Sequence, residues 1–82
     1  MTIHNNTNLP TETIKLLPYV GRTVNKWRGR TVALYQSPHA SDKVISVGLT
    51  FDGNTQVISE DDKADWRTAL DYIAQGQVYI SE

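Results

Sequence analysis

The stretch from 43 to 58 constrains this chain more than any other. Ile45, Val47, Leu49 and Phe51 alternate with Ser46, Gly48 and Thr50. A strand turns successive side chains to opposite faces, so a period of two puts the four large apolar groups on one face. Asp52-Gly53-Asn54 follows, and Asp-Gly tolerates the positive φ angles of a tight two-residue turn. Thr55-Gln56-Val57-Ile58 then returns as the partner strand. A lone hairpin is marginal in water, so its apolar face needs a cover.

The next residues supply a candidate. Ser59 is a good N-cap, and Glu60, Asp61 and Asp62 sit where the dipole of a following helix is positive. Trp66, Ala69, Leu70 and Ile73 fall at helical spacing and form one apolar stripe, with Asp65, Arg67, Thr68 and Asp71 on the wet side. Gly76 suits a left-handed helix end. The pattern predicts a helix over 60–75, laid across the Ile45/Val47/Leu49/Phe51 face. Gln77-Val78-Tyr79-Ile80 alternates again and predicts a short last strand.

Earlier in the chain the signals are shorter. Residues 1–9 are polar, rich in Asn and Thr, and read as a flexible arm. Residues 10–82 then form one domain. Pro10-Thr11-Glu12-Thr13 starts a short helical turn that brings Ile14 and Leu17 to the core, and Pro18 stops it. Stretches 22–27 and 30–36 read as strands, because Thr23, Val24, Thr31 and Val32 are β-branched, with a turn at Arg28-Gly29. Ser37-Pro38-His39-Ala40-Ser41-Asp42 reads as a loop. The predicted fold is α+β: an antiparallel sheet of four to five short strands, one main amphipathic helix on one face, and the short N-terminal helical turn.

Composition narrows function by exclusion. The chain has 82 residues and no cysteine, which removes disulfides, thiolate catalysis and cysteine-based metal sites. Absence of disulfides in a small domain favours a reducing cytoplasm. Met1 to Asn6 shows no secretory pattern, and no apolar run approaches the ~20 residues of a membrane span, so no membrane partner is expected. Net charge is −1, but residues 1–41 carry +4 and residues 42–82 carry −5. Such asymmetry bears on partners rather than fold.

Four groups of residues carry candidate chemistry. Arg22, Lys26, Arg28 and Arg30 surround Trp27, a pattern that neutralises phosphates and stacks on an unpaired base. A solvated hairpin with Trp27 in the core accounts for the same residues. Asp61, Asp62, Asp65 and Asp71, with Glu60, can dock on a basic groove, although capping explains the first acids equally well. His39, Ser41 and Asp42 bring a nucleophile, a base and an acid into one loop, yet spacing alone supplies neither the geometry nor an oxyanion site. Tyr19, Tyr35, Tyr72 and Tyr79 are many aromatics for a small domain, and Tyr72 flanks the helical stripe. His4 and His39 are far apart, and no calcium-loop or phosphate-loop spacing occurs, so neither metal nor cofactor is expected.

The reading that follows is a non-enzymatic protein-binding module. It would occupy a surface of a larger protein or ribonucleoprotein through Asp61, Asp62, Asp65, Asp71 and Tyr72. By size and layout, the chain resembles phage or mobile-element inhibitors of host nucleic-acid machines, anti-CRISPR proteins among them; no motif carries that resemblance. The alternative is a nucleic-acid-binding module that uses Arg22, Lys26, Trp27, Arg28 and Arg30. Contact between the basic hairpin of one copy and the acidic helix of another would give a homodimer.

Overall fold

The computed structural model describes residues 2–25, 30–50 and 53–81, with backbone alone at Asn25 and Arg30. Six strands form one sheet: β1 (Thr2–Asn5), β2 (Tyr19–Asn25), β3 (Arg30–Gln36), β4 (Lys43–Leu49), β5 (Thr55–Asp62) and β6 (Tyr79–Ser81). Their order across the sheet is β1-β5-β4-β3-β2-β6. The four inner strands are antiparallel neighbours, while β1 and β6 join at the two edges as parallel strands. The fold is therefore a mixed six-stranded sheet and mostly strand, not a small antiparallel sheet dominated by a helix.

Both edges correct the expectation from sequence. Thr2 to Asn5, within the stretch read as an arm, pairs with β5 from Thr55 to Ile58. Parallel edge strands need a long return of chain, so no local turn signal announces them. The chain is held there beyond the ladder. Asn5 Nδ2 donates to Leu9 O at 2.8 Å and Asn5 Oδ1 accepts from Thr7 N at 2.9 Å. These bonds curl residues 5–9 and deliver Leu9 to the core.

The central hairpin forms as its alternation requires. Leu49 faces Gln56, Val47 faces Ile58 and Ile45 faces Glu60. Its connection is longer than a two-residue turn: Thr50 N–H donates to Thr55 O at 2.9 Å, which closes the ladder outside positions 51–54. Gly53 takes φ 74°, the left-handed conformation that the Asp-Gly pair anticipates. Phe51 and Asp52 lie outside the described residues.

The larger correction concerns 59–66. Ser59 caps nothing, and Glu60, Asp61 and Asp62 complete β5, facing Ile45, Val44 and Lys43. A 3₁₀ turn, Lys63–Trp66, leads into the only α-helix among the described residues, α1 (Arg67–Ala74). Tertiary pairing explains the change. Val44 and Ile45 are fully buried, and β4 keeps its ladder to its first residue only if β5 runs on to Asp62. Propensity at a capping sequence is worth ~1 kcal/mol, less than the ladder bonds that a helix there would forfeit. The helix end follows expectation: Gly76 has φ 75°, Gly76 N–H donates to Ile73 O and Gln77 N–H donates to Tyr72 O, the paired bonds of a Schellman ending.

The helix also covers the other face. The Ile45 face is covered by the N-terminal 3₁₀ turn, Thr11–Leu16, whose buried Ile14 packs with Ile45 and Ile58. Leu9, Leu17, Tyr35 and Val47 surround that cluster. Leu17, extended at ψ 154° before Pro18, ends the turn as predicted. On the opposite face, Leu34, Val44, Thr23 and Ser46 are buried, and Ala69 is the buried residue of α1. That face carries glycine at two close approaches, one to the helix and one within the sheet. A Cβ on Gly21 would stand 2.8 Å from Ile73, and one on Gly48 would stand 3.1 Å from Val32. The two covers are offset. The N-terminal turn lies over β4 and β5, while α1 lies over β2 and β6. Sheet surface near Tyr19, Arg22, Thr31 and Ile80 is left exposed as a result.

Candidate functional site

The acids read as one face are dispersed by the strand they belong to. Neighbours on a strand point oppositely, so Asp61 faces α1 while Glu60 and Asp62 face the other side. Asp61 Oδ2 accepts from Ser46 Oγ at 3.0 Å and from Trp66 Nε1 at 3.1 Å. It fixes the indole at the start of the helix, and both bonds are internal. Asp62 is exposed and pairs with Lys43 Nζ at 2.6 Å, an interaction that holds the Lys43 ammonium above its ordinary value. Asp65 and Asp71 are exposed, on the 3₁₀ turn and on α1. Tyr72 is 40% exposed and meets Tyr79 edge to face, with ring centroids 5.1 Å apart.

Of the basic candidates, Arg22 is exposed on β2 and Arg30 opens β3. Lys26, Trp27, Arg28 and the Arg28-Gly29 turn lie outside the described residues. Arg22 shares its face with Tyr19, which is 60% exposed and edge-on to Tyr35 at 5.5 Å.

His39 does not join Ser41 and Asp42. Its Nδ1 lies 2.8 Å from Glu60 Oε2, the same oxygen that accepts from Ser37 Oγ, and His39 N–H donates to Ser37 Oγ at 3.1 Å. The carboxylate is the hub here. In a nucleophilic triad the base stands between hydroxyl and acid, and the hydroxyl faces a pocket. Ser37 is buried and bonded to the acid instead. The Ser37 hydroxyl first, then the His39 ring, hold the Glu60 carboxyl below its ordinary value. The Gln36 amide, with two hydrogens to donate, lies with Nε2 3.2 Å from each of the carbonyl oxygens of Ser37, Ala40 and Lys43. The cluster is a clamp on loop 37–42. Glu60 was missed as its hub because, read as a helix residue, it points away from the loop.

Two surface features remain. The first is the corner where α1 and β6 meet. Tyr72 is exposed on the α1 side of that three-residue edge strand, Val78 is exposed just before it, and Ile80, 55% exposed, lies on the opposite face of the strand. Asp71 adjoins Tyr72. The second is a cleft of about 330 Å³ between the start of α1 and strands β2, β3 and β6. Thr23, Val32 and Ala69 are among its lining residues, with Trp66 and Tyr79 beside them and Asp65, Arg67 and Thr68 exposed on the helix side. Sequence spacing could flag Asp65 and Trp66, but not that Thr23 and Val32 would lie beside them.

Among the described residues, no group of three or more His, Asp or Glu side chains could hold a metal ion. No described helix is long and apolar enough to cross a membrane. No family model, no curated protein and no solved structure matches the chain.

Proposed function

We propose that this protein is a non-enzymatic binding module that occupies a surface of a larger protein partner, of the kind a phage or mobile element directs at a host nucleic-acid-handling or defence complex. The observation that supports it is the α1–β6 corner. Tyr72, Val78 and Ile80 expose apolar surface around an edge strand whose outer side is unpaired among the described residues. Natural sheets guard such edges with lysine, proline, a bulge or a very short strand; Tyr79-Ile80-Ser81 carries none of the first three, and its three residues offer a short template. An open edge of this kind accepts an extended segment of another chain, with neighbouring side chains setting specificity. Tyrosine adds contact area at low entropy cost, and exposed Asp71 favours a basic partner.

A tagged pull-down with and without nuclease tests the reading. A stoichiometric protein partner that survives nuclease, and is lost in Ile80→Lys with Tyr72→Ser, supports it. Partners that vanish with nuclease, or that persist in the double variant, overturn it.

One observation favours the nucleic-acid alternative. Arg22 and Tyr19 stand exposed on sheet surface that neither helical segment covers. That reading requires affinity for DNA or RNA that falls steeply with salt, and Arg22→Gln should reduce the slope by about one.

A further inference from the structure

The cleft beside α1 has a chemistry distinct from the α1–β6 corner. Its exposed residues include one carboxylate, Asp65, and one guanidinium, Arg67. The ion pairs among the described residues are His39–Glu60 and Lys43–Asp62, so neither Asp65 nor Arg67 is neutralised by a described neighbour. The Arg67 side is further suited to an anion. Thr68 offers a hydroxyl there.

The lining between these charges is partly apolar. Val32, Ala64 and Ala69 line it, and Trp66 is held in one orientation by its bond to Asp61. Buried Thr23 spends its hydroxyl proton on Tyr79 O at 2.8 Å, which ties β6 against the cleft. About 330 Å³ is at the small end of ligand pockets, the size for one compact molecule rather than a cofactor. A ligand complementary to this lining carries one positive charge, one negative charge and an apolar body.

We propose that the cleft binds a small zwitterion of the free apolar α-amino acid class, with its carboxylate toward Arg67 and Thr68, its ammonium toward Asp65 and its side chain against Trp66, Val32 and Ala69. The cleft shares β6 with the protein-binding corner through Tyr79 and Ser81, but Tyr72 and Ile80, the residues substituted to test that corner, do not line it.

The test is a ¹⁵N–¹H NMR titration of the full chain with L-leucine and L-phenylalanine, alongside N-acetyl-L-leucine and L-leucinamide, which each lack one charge. Saturable shifts of the Trp66 indole N–H and of the Thr23, Thr68 and Ala69 amides are expected. Each blocked analogue should bind at least about tenfold more weakly, because charge-assisted bonds are the strong ones. Asp65→Asn should remove the preference for leucine over N-acetyl-leucine, and Arg67→Gln the preference over leucinamide. Both substituted side chains are exposed, so the remaining spectrum reports an intact fold. Absence of saturable shifts for either amino acid overturns the proposal. Equal binding of leucinamide or N-acetyl-leucine also overturns it, since the cleft would then select a bare cation or anion.

Discussion

Gly21 and Ile73 are in such close contact that a Cβ on the glycine would stand 2.8 Å from the isoleucine side chain. This is where α1 rests on β2. The helix reaches the sheet only because the strand presents hydrogen there. Gly21→Ala should therefore destabilise the fold by ~1–3 kcal/mol through overpacking. Ile73→Val in the same chain should recover part of the loss. Urea denaturation of both single variants and the double variant gives the coupling energy, which is large only if the two residues touch.

Asp61 supplies a second measurement. As a helix-dipole acid it would be worth ~0.3–1 kcal/mol. As a strand residue bonded to Ser46 and Trp66 it should cost ~1–3 kcal/mol when replaced by alanine, because two donors lose their acceptor. The Trp66 indole N–H resonance should also move and exchange faster with water. A loss under 0.5 kcal/mol with an unmoved indole signal would contradict the strand assignment.

The Glu60 clamp makes stability depend on pH with a definite sign. Bonds from Ser37 and His39, with the charges of His39 and Lys43, lower its carboxyl below the ordinary value. A group depressed in the folded state contributes its stability fully above the unfolded value, and loses it as pH falls through the folded one. Glu60→Gln should thus cost ~1 kcal/mol near neutrality. The gap between wild type and variant should close as the solution is acidified through and below the carboxylate range. Chemical denaturation midpoints across that range give the curve, and a gap that widens on acidification would refute the sign.

Gly76 tests a conformational effect free of packing. It has φ 75°, and a Cβ there would meet nothing within 4 Å. Gly76→Ala should cost ~1 kcal/mol from left-handed strain alone. Gly76→Asn should cost less, because asparagine tolerates that region. Thermal midpoints of the two variants rank them.

Local chemistry in this sequence was sufficient for several elements. The alternation from Ile45 to Leu49 made β4, the β-branched pairs made β2 and β3, and Pro18 ended the turn that carries Ile14. Spacing from Trp66 to Ile73 found the half-buried stripe of the 3₁₀–α1 segment, in which Ala69 is buried, and Gly76 found its end. In each, the deciding interactions lie within a few residues or across one tight connection, so they are written in order along the chain. What lay beyond the sequence were choices between distant partners. The segment 59–62 is one: Ser59-Glu60-Asp61-Asp62 is a sound helix start by itself, and only β4 alongside, with Ser46, Lys43 and the 37–42 loop to receive its side chains, makes it a strand. The parallel edges are another, since β1 and β6 find β5 and β2 across 50 or more residues with no turn to announce them. At Gly21 the absence of a side chain admits Ile73 of α1 on that side of the sheet. The cleft between Thr23, Trp66 and Tyr79 exists only through those choices, because a surface assembled from three remote segments has no period in the sequence.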